Sequence, residues 1–179
     1  YLGTENGTLY KVNQTNGEPV WSVTPGGQIT NMLAFDTGKS SGVWIMTSSS
    51  QVFRYTFNGQ LHSDWSQSQG LLVVPGGYPS MDDYTAGVNA FWCGSGSGKI
   101  FKINNSNGMI LSEYEYSGKL TDLVVDSGLT DGTSNKHNVY FGSSDGWLRC
   151  RDSSNLANLP QFWNDFNTGS SINSIPYLD

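Results

Sequence analysis

Four stretches of this sequence repeat one another, and a chain that repeats at a fixed period folds as an array of like units. Residues 1–10, 44–53, 92–101 and 140–149 each open on an aromatic side chain (Tyr1, Trp44, Trp92, Tyr140) and continue with small residues. Each has Gly or Ser at the seventh place (Gly7, Ser50, Gly98, Gly146) before a second hydrophobic run. The starts are 43, 48 and 48 residues apart. Each stretch reads as a β-hairpin, because Gly takes positive φ at the turn without steric cost. The returning strand alternates, with Leu9 and Lys11 on one face and Tyr10 and Val12 on the other. No 3.6-residue period survives for two turns, so no helix longer than about two turns is expected.

The rest of each unit supplies two more strands. Asn16-Gly17, Asn58-Gly59 and Asn107-Gly108 are turns, each leading to an outer strand: 19–23, 61–65 and 109–116. The fourth unit has 161–166 in that place, without the Asn-Gly turn. A further strand then leads into the next unit, at 29–36, 120–126 and 172–179, with a degraded version near Tyr78 to Tyr84. Four strands in 43–48 residues is the period of a β-propeller blade. The expected fold is therefore all-β, a β-propeller of four-stranded antiparallel blades. About four blades fall in residues 1–179, as one domain or as a segment of a larger ring. Residues 172–179 align without a gap on 29–36 and are expected to be a blade strand. That strand would pair with the one at Tyr1, within the chain or between chains, or with blades outside this chain.

Charge narrows the partners. Nine Lys and Arg stand against 15 Asp and Glu, for a net charge of −6, and no basic cluster stands out. Such a surface repels phosphate backbones, so no nucleic-acid partner is expected. No apolar run is long enough for a helical membrane span. Low charge with abundant Ser, Thr and Asn fits an extracellular, cell-surface or periplasmic location. The triplets at Asn6, Asn13 and Asn104 occur at the frequency that composition alone would give. Cys93 and Cys150 fall on different strands of successive units and are expected to stay unpaired.

The first unit, residues 1–21, resembles the blade repeat of quinoprotein dehydrogenase-like propellers (PQQ-like repeats). The likeness lies in its Gly-Thr start, turn Gly, Asn-x-x-x-Gly turn and closing Trp. The resemblance implies a Gly and Trp docking pair between neighbouring blades, carried here by Gly17 and Trp21. Later units space these residues differently: Gly59 precedes Trp65, and Gly108 precedes Tyr114, by six places rather than four. Quinone-dependent members of the family carry a vicinal Cys pair, a calcium-binding Glu/Asn/Asp set and a catalytic Asp. No vicinal pair exists here, and Asp82-Asp83 reads as solvated loop.

His62 and His137 read as surface residues, and the glycines of 94–98 as a hairpin rather than a phosphate loop. Trp21, Trp65 and Trp163 read as packing between blades. No catalytic, cofactor-binding or metal residue is assigned, and no cofactor is expected. The functional expectation is a non-enzymatic scaffold that binds a protein or glycan partner. Its contacts would include long loops such as 37–42 and 129–138. The alternative is a fragment of a PQQ-dependent oxidoreductase whose catalytic blades lie elsewhere.

Overall fold

The computed structural model describes residues 1–36, 41–62, 65, 80–82, 90–126, 137–157 and 163–174. Among them are 14 strands in four antiparallel sheets and no helix of even one full turn. The first blade holds β1 (Leu2–Gly3), β2 (Leu9–Val12) and β3 (Pro19–Val23). The second holds β4 (Ile29–Phe35), β5 (Gly42–Thr47) and β6 (Val52–Tyr55). The third runs β7 (Ser80–Asp82), β8 (Ala90–Gly94), β9 (Lys99–Asn104) and β10 (Ile110–Glu115). The fourth runs β11 (Leu120–Val125), β12 (Asn138–Ser143), β13 (Trp147–Asp152) and β14 (Phe166–Asn167). In the second to fourth sheets, the strand expected to lead into a unit is the first strand of that blade.

The first and second blades have three described strands rather than four, and the fourth has four. In the second, the expected outer strand at 61–65 is reduced to a single bridge between Tyr55 and Leu61. In the fourth, the outer strand is the short β14, which starts at the last residue of the expected 161–166. Of the expected strand at 172–179, residues 175–179 lie outside the described part. The Ile172 N–H donates to the Ser143 carbonyl at 3.2 Å, as the Ile29 N–H donates to that of Thr4 at 3.4 Å. Ile172 therefore stands to the fourth blade as β4 stands to the first.

The core lies between blades. Each strand is pleated, so its side chains point alternately to two faces, and each face meets a neighbouring blade. All six residues of β5 are buried for this reason. Val43 and Ile45 pack with Leu9, Tyr1 and Trp21 of the first blade, whereas Trp44 and Met46 pack with Cys93, Phe101 and Ile103 of the third. Ala90, Trp92 and Ile100 form the next layer with Leu120, Val139 and Phe141 of the fourth blade. Close approach needs small residues where layers meet. A Cβ on Gly3 would lie 2.6 Å from the Ile29 side chain, and one on Gly142 would lie 2.5 Å from that of Ile172.

The Gly–Trp docking pair is real but differently composed. Gly17 has nothing within 4 Å of where its Cβ would be, so Gly17 and Trp21 are not partners. The Trp21 ring lies on Gly59 of the next blade, where a Cβ would be 2.8 Å from Trp21 Cδ2. Gly59 therefore receives the aromatic residue of the blade before it. Gly17 and Gly59 have similar positive φ, +75° and +81°. Replacing either by Ala should cost about 1–2 kcal/mol for the left-handed backbone alone. Gly59→Ala should cost roughly 1–3 kcal/mol more, because it displaces the docked indole. Equal losses in paired urea denaturation curves would refute the docking geometry.

Candidate functional site

Each blade's last hairpin turn begins with a side chain that caps its own backbone. Asn13 Oδ1 accepts from the Thr15 N–H at 2.8 Å, Thr56 Oγ1 from Gln60 at 3.2 Å, Asn104 Oδ1 from Ser106 at 2.8 Å and Asp152 Oδ1 from Ser154 at 2.8 Å. These Asx- and Ser/Thr-type turns fix the direction of the next residue's carbonyl. In three blades that carbonyl is the docking point of the preceding blade. Phe57 O accepts from Lys11 Nζ at 3.1 Å and from Trp21 Nε1 at 3.0 Å. Asn105 O accepts from Arg54 Nη1 at 2.8 Å and from Trp65 Nε1 at 2.7 Å. Ser153 O accepts from Lys102 Nζ at 2.9 Å. The aromatic donor of the third blade is Tyr116 rather than Tyr114, its hydroxyl reaching Leu156 O at 2.8 Å.

The cations are carried across the layer on aromatic rings. Arg54 Cζ stands 5.1 Å from the centre of the Trp44 ring, Lys102 Nζ 5.0 Å from Trp92 and Lys11 Nζ 6.0 Å from Tyr1. Trp44 and Arg54, and Trp92 and Lys102, are directly opposite each other in their hairpins. The pleat thus puts ring and cation on one face. In the fourth blade Cys150 takes the cation's place opposite Tyr140. Trp163 packs edge-on against Tyr140 at 5.4 Å, and its Nε1 is buried with no hydrogen-bond partner among the described residues. Trp21 and Trp65 thus do pack between blades, as their recurrence predicts.

His137 is buried, contrary to the surface position its polar neighbours suggested. Its Nδ1 lies 3.0 Å from the Asp126 carbonyl oxygen. The Asp126 carboxylate accepts from the Asn138 backbone N–H at 3.0 Å, from Asn138 Nδ2 at 3.1 Å and from the Tyr140 hydroxyl at 3.2 Å. This network ties the end of β11 to the start of β12 and closes a long loop whose residues 127–136 lie outside the described part. Sequence reading missed it because the partners are 11 to 14 residues apart across that loop. Burial of its hydroxyl and nearby Asp126 both push the Tyr140 pKa up, burial most.

The other candidates are structural. Residues 94–98 form the β8–β9 turn, where the Gly98 N–H donates to Ser95 O at 3.2 Å. In the corresponding turn of the fourth blade, hydrogen bonds from Arg149 hold Asp145 well below the usual carboxylate range. The Arg151 guanidinium pairs with Asp165, Nη2 to Oδ2 at 2.6 Å. His62 is half-buried, and its backbone N–H donates to Arg54 O at 2.8 Å. The side chain of Asp82, all of Asp83 and the loop segments 37–40 and 129–136 lie outside the described residues. No group of three His, Cys, Asp or Glu side chains that could hold a metal ion occurs among the described residues.

Half of the large exposed apolar side chains among the described residues gather at one strand, the others (Leu2, Val20, Leu61 and Phe166) standing singly on other elements. Met109 is 63% exposed, Leu111 43%, Tyr114 39% and Ile110 38%, on or just before β10 at the outer rim of the third blade. Every residue of β10 is exposed. Glu113 and Glu115 lie on the same strand, and Glu113 pairs with Lys99 of β9 at 3.0 Å.

The same blade architecture recurs in solved structures. The chain resembles BBS1N in its complex with ARL6DN, at 12% identity and a TM-score of 0.68 over 96% of this chain and 51% of that one. It resembles the computationally designed Ika8 protein at 18% identity and a TM-score of 0.69, covering 99% of this chain and 49% of Ika8. BamB from Moraxella catarrhalis matches at 18% identity and a TM-score of 0.68, over 99% of this chain and 48% of BamB. The WD40 domain of Neurospora crassa Pan2 is a further match, at 12% identity and a TM-score of 0.59. These likenesses establish the β-propeller fold, and the chain spans about half the length of the propellers it matches. No protein-family model matches the sequence, and no curated protein matches it.

Both cysteines are free and buried, in different blades. Burial pushes each thiol from its ordinary value of 9.0 up to about 12. A raised folded-state pKa means that the unfolded chain deprotonates first. Stability from these groups is thus full below pH 9 and is lost as pH rises from 9 towards 12. Urea midpoints should fall across that window, and both thiols should react with Ellman's reagent only after unfolding. Fast reaction of either thiol in the native protein at pH 8 would contradict this burial.

The docking cations supply a second check. Lys102→Met should destabilise the protein by about 1–3 kcal/mol, since it removes a buried hydrogen bond from a charged donor. Lys99→Met breaks only a surface ion pair and should change stability by less than about 1 kcal/mol. Equal effects in paired denaturation curves would show that the Lys102 contact contributes little.

Proposed function

We propose that this chain is a propeller scaffold of the PQQ-like repeat type that binds a protein partner outside the cytoplasm. The observation that carries the binding role is the rim of the third blade, where Met109, Ile110, Leu111 and Tyr114 stand in solvent on or just before one strand. Contiguous apolar surface of this kind marks interaction sites on soluble proteins. The layers beneath hold that strand in place, so binding would cost little ordering entropy. BBS1N, a structural neighbour, is in complex with ARL6DN. The PQQ-like assignment is supported by the docking of Trp21 on Gly59 between successive blades. The low-charge, Ser/Thr/Asn-rich composition supports an extracellular, cell-surface or periplasmic setting.

A photo-crosslinking residue at Leu111 tests the scaffold reading in the native host. Crosslinks should concentrate on one or a few proteins, and the same probe at Asn173 should not capture them. Stoichiometric uptake of pyrroloquinoline quinone with calcium, seen as bound-cofactor absorbance, would overturn the reading in favour of an oxidoreductase.

A further inference from the structure

Resting on that scaffold reading, we propose that the outer edge of β10 receives a basic, extended segment of the partner protein as an added β-strand. A sheet edge is a row of unpaired backbone donors and acceptors, and proteins normally blunt it. The other blades do so. β3 begins at Pro19, β14 has two residues, and the second blade ends in the single Tyr55–Leu61 bridge among the described residues. β10 is different: it has six residues, contains no proline, among the described residues pairs only with β9, and keeps an unbroken register from Ser112 to Glu115, its one shift falling at the Ile110 end.

The register defines what the edge offers. The Tyr116 N–H donates inward to Gly98 O at 2.9 Å, and Glu115, Tyr114 and Glu113 follow opposite Lys99, Ile100 and Phe101. Inward- and outward-facing backbone groups alternate in an antiparallel ladder. Tyr114 therefore bonds inward, while Glu113 and Glu115 direct their N–H and C=O groups to solvent.

Their side chains select the occupant. Glu113 and Glu115 share one face with Lys99, leaving a local charge of −1 on a chain of net charge −6. Pairing of two copies antiparallel about Tyr114 would set Glu113 opposite Glu115, and in-register parallel pairing would set each glutamate beside itself. Like charges directly opposite are destabilising, so the edge disfavours a second copy. A strand with Lys or Arg at alternate positions would meet both glutamates. Its apolar residues would lie on the Tyr114 face. This is strand addition, in which main-chain bonds hold the segment and alternate side chains choose it.

The test uses the whole chain and a capped peptide of alternating Lys and Val, Thr-Lys-Val-Lys-Val-Lys-Thr, followed by fluorescence anisotropy. Binding should weaken with salt. The double variant Glu113→Lys with Glu115→Lys should lose at least about 10-fold in affinity, with circular dichroism and melting temperature confirming that it is folded. Two peptides N-methylated at alternate residues remove the donors of one strand edge or the other. One should lose at least about 10-fold and the other stay within about 3-fold. Equal losses from the two, no binding at all, or a concentration-dependent dimer that the peptide dissolves would each overturn the proposal. If the peptide fails while crosslinks from Leu111 still concentrate on a partner, the strand assignment falls and the scaffold reading stands. If those crosslinks are also absent, the scaffold reading falls with it.

Discussion

Everything in this molecule depends on one contact, made repeatedly: a donor pair from one blade on a single turn carbonyl of the next. Phe57 O and Asn105 O each accept from a cation and an indole, and Ser153 O accepts from Lys102. A carbonyl has two acceptor positions, and at the first two interfaces both are filled from across the layer. The cation comes from the returning strand of the hairpin in the blade before (β2, β6 or β9) and the indole from a residue farther along that blade, so the contact sets both the spacing and the tilt of neighbours. The capped turn in turn needs Asn, Thr or Asp at one position, and Asn13, Thr56, Asn104 and Asp152 hold it.

This arrangement explains a charge pattern that composition alone makes puzzling. A chain with few cations buries Arg54, Lys102, Arg149 and Arg151. Burying a charge is costly unless hydrogen bonds replace its hydration. Here Arg54 and Lys102 get theirs from backbone carbonyls, with a ring face beneath, and Arg149 and Arg151 pair with Asp145 and Asp165. The surface left behind is more acidic than the net charge suggests, and the exposed glutamates of β10 belong to it.

Much of the fold was legible because turns and alternation are local. The aromatic residues at Tyr1, Trp44, Trp92 and Tyr140 and the turn positions that follow marked the hairpins, which need no distant information. The docking contacts were only half legible. Lys11, Arg54 and Lys102 stand at one repeat position, a signal that could have been read, but their acceptors lie 46 to 51 residues away. The Gly and Trp positions implied by the repeat were half legible in the same way: Trp21 docks between blades, but on Gly59, the next blade's equivalent of Gly17. His137 was misplaced because a polar sequence neighbourhood says nothing about what a loop folds over. The β10 edge was read as a strand, but its lack of cover among the described residues is visible only once the other rims are seen to be short or interrupted.

Placing the core between blades rather than within them has a consequence for how the chain is made. No blade can bury its own hydrophobic faces, so Trp21 emerges from a ribosome with nothing to dock on. Its acceptor, Phe57 O, lies 36 residues later. At about 5–20 residues per second, that is roughly 2–7 s of exposure for an indole and the apolar strands around it. In that interval the face of the first blade that packs on β5 stays uncovered. For the cell, the period of the repeat is therefore also a clock. It sets how long each new blade stays exposed before the next arrives to cover it.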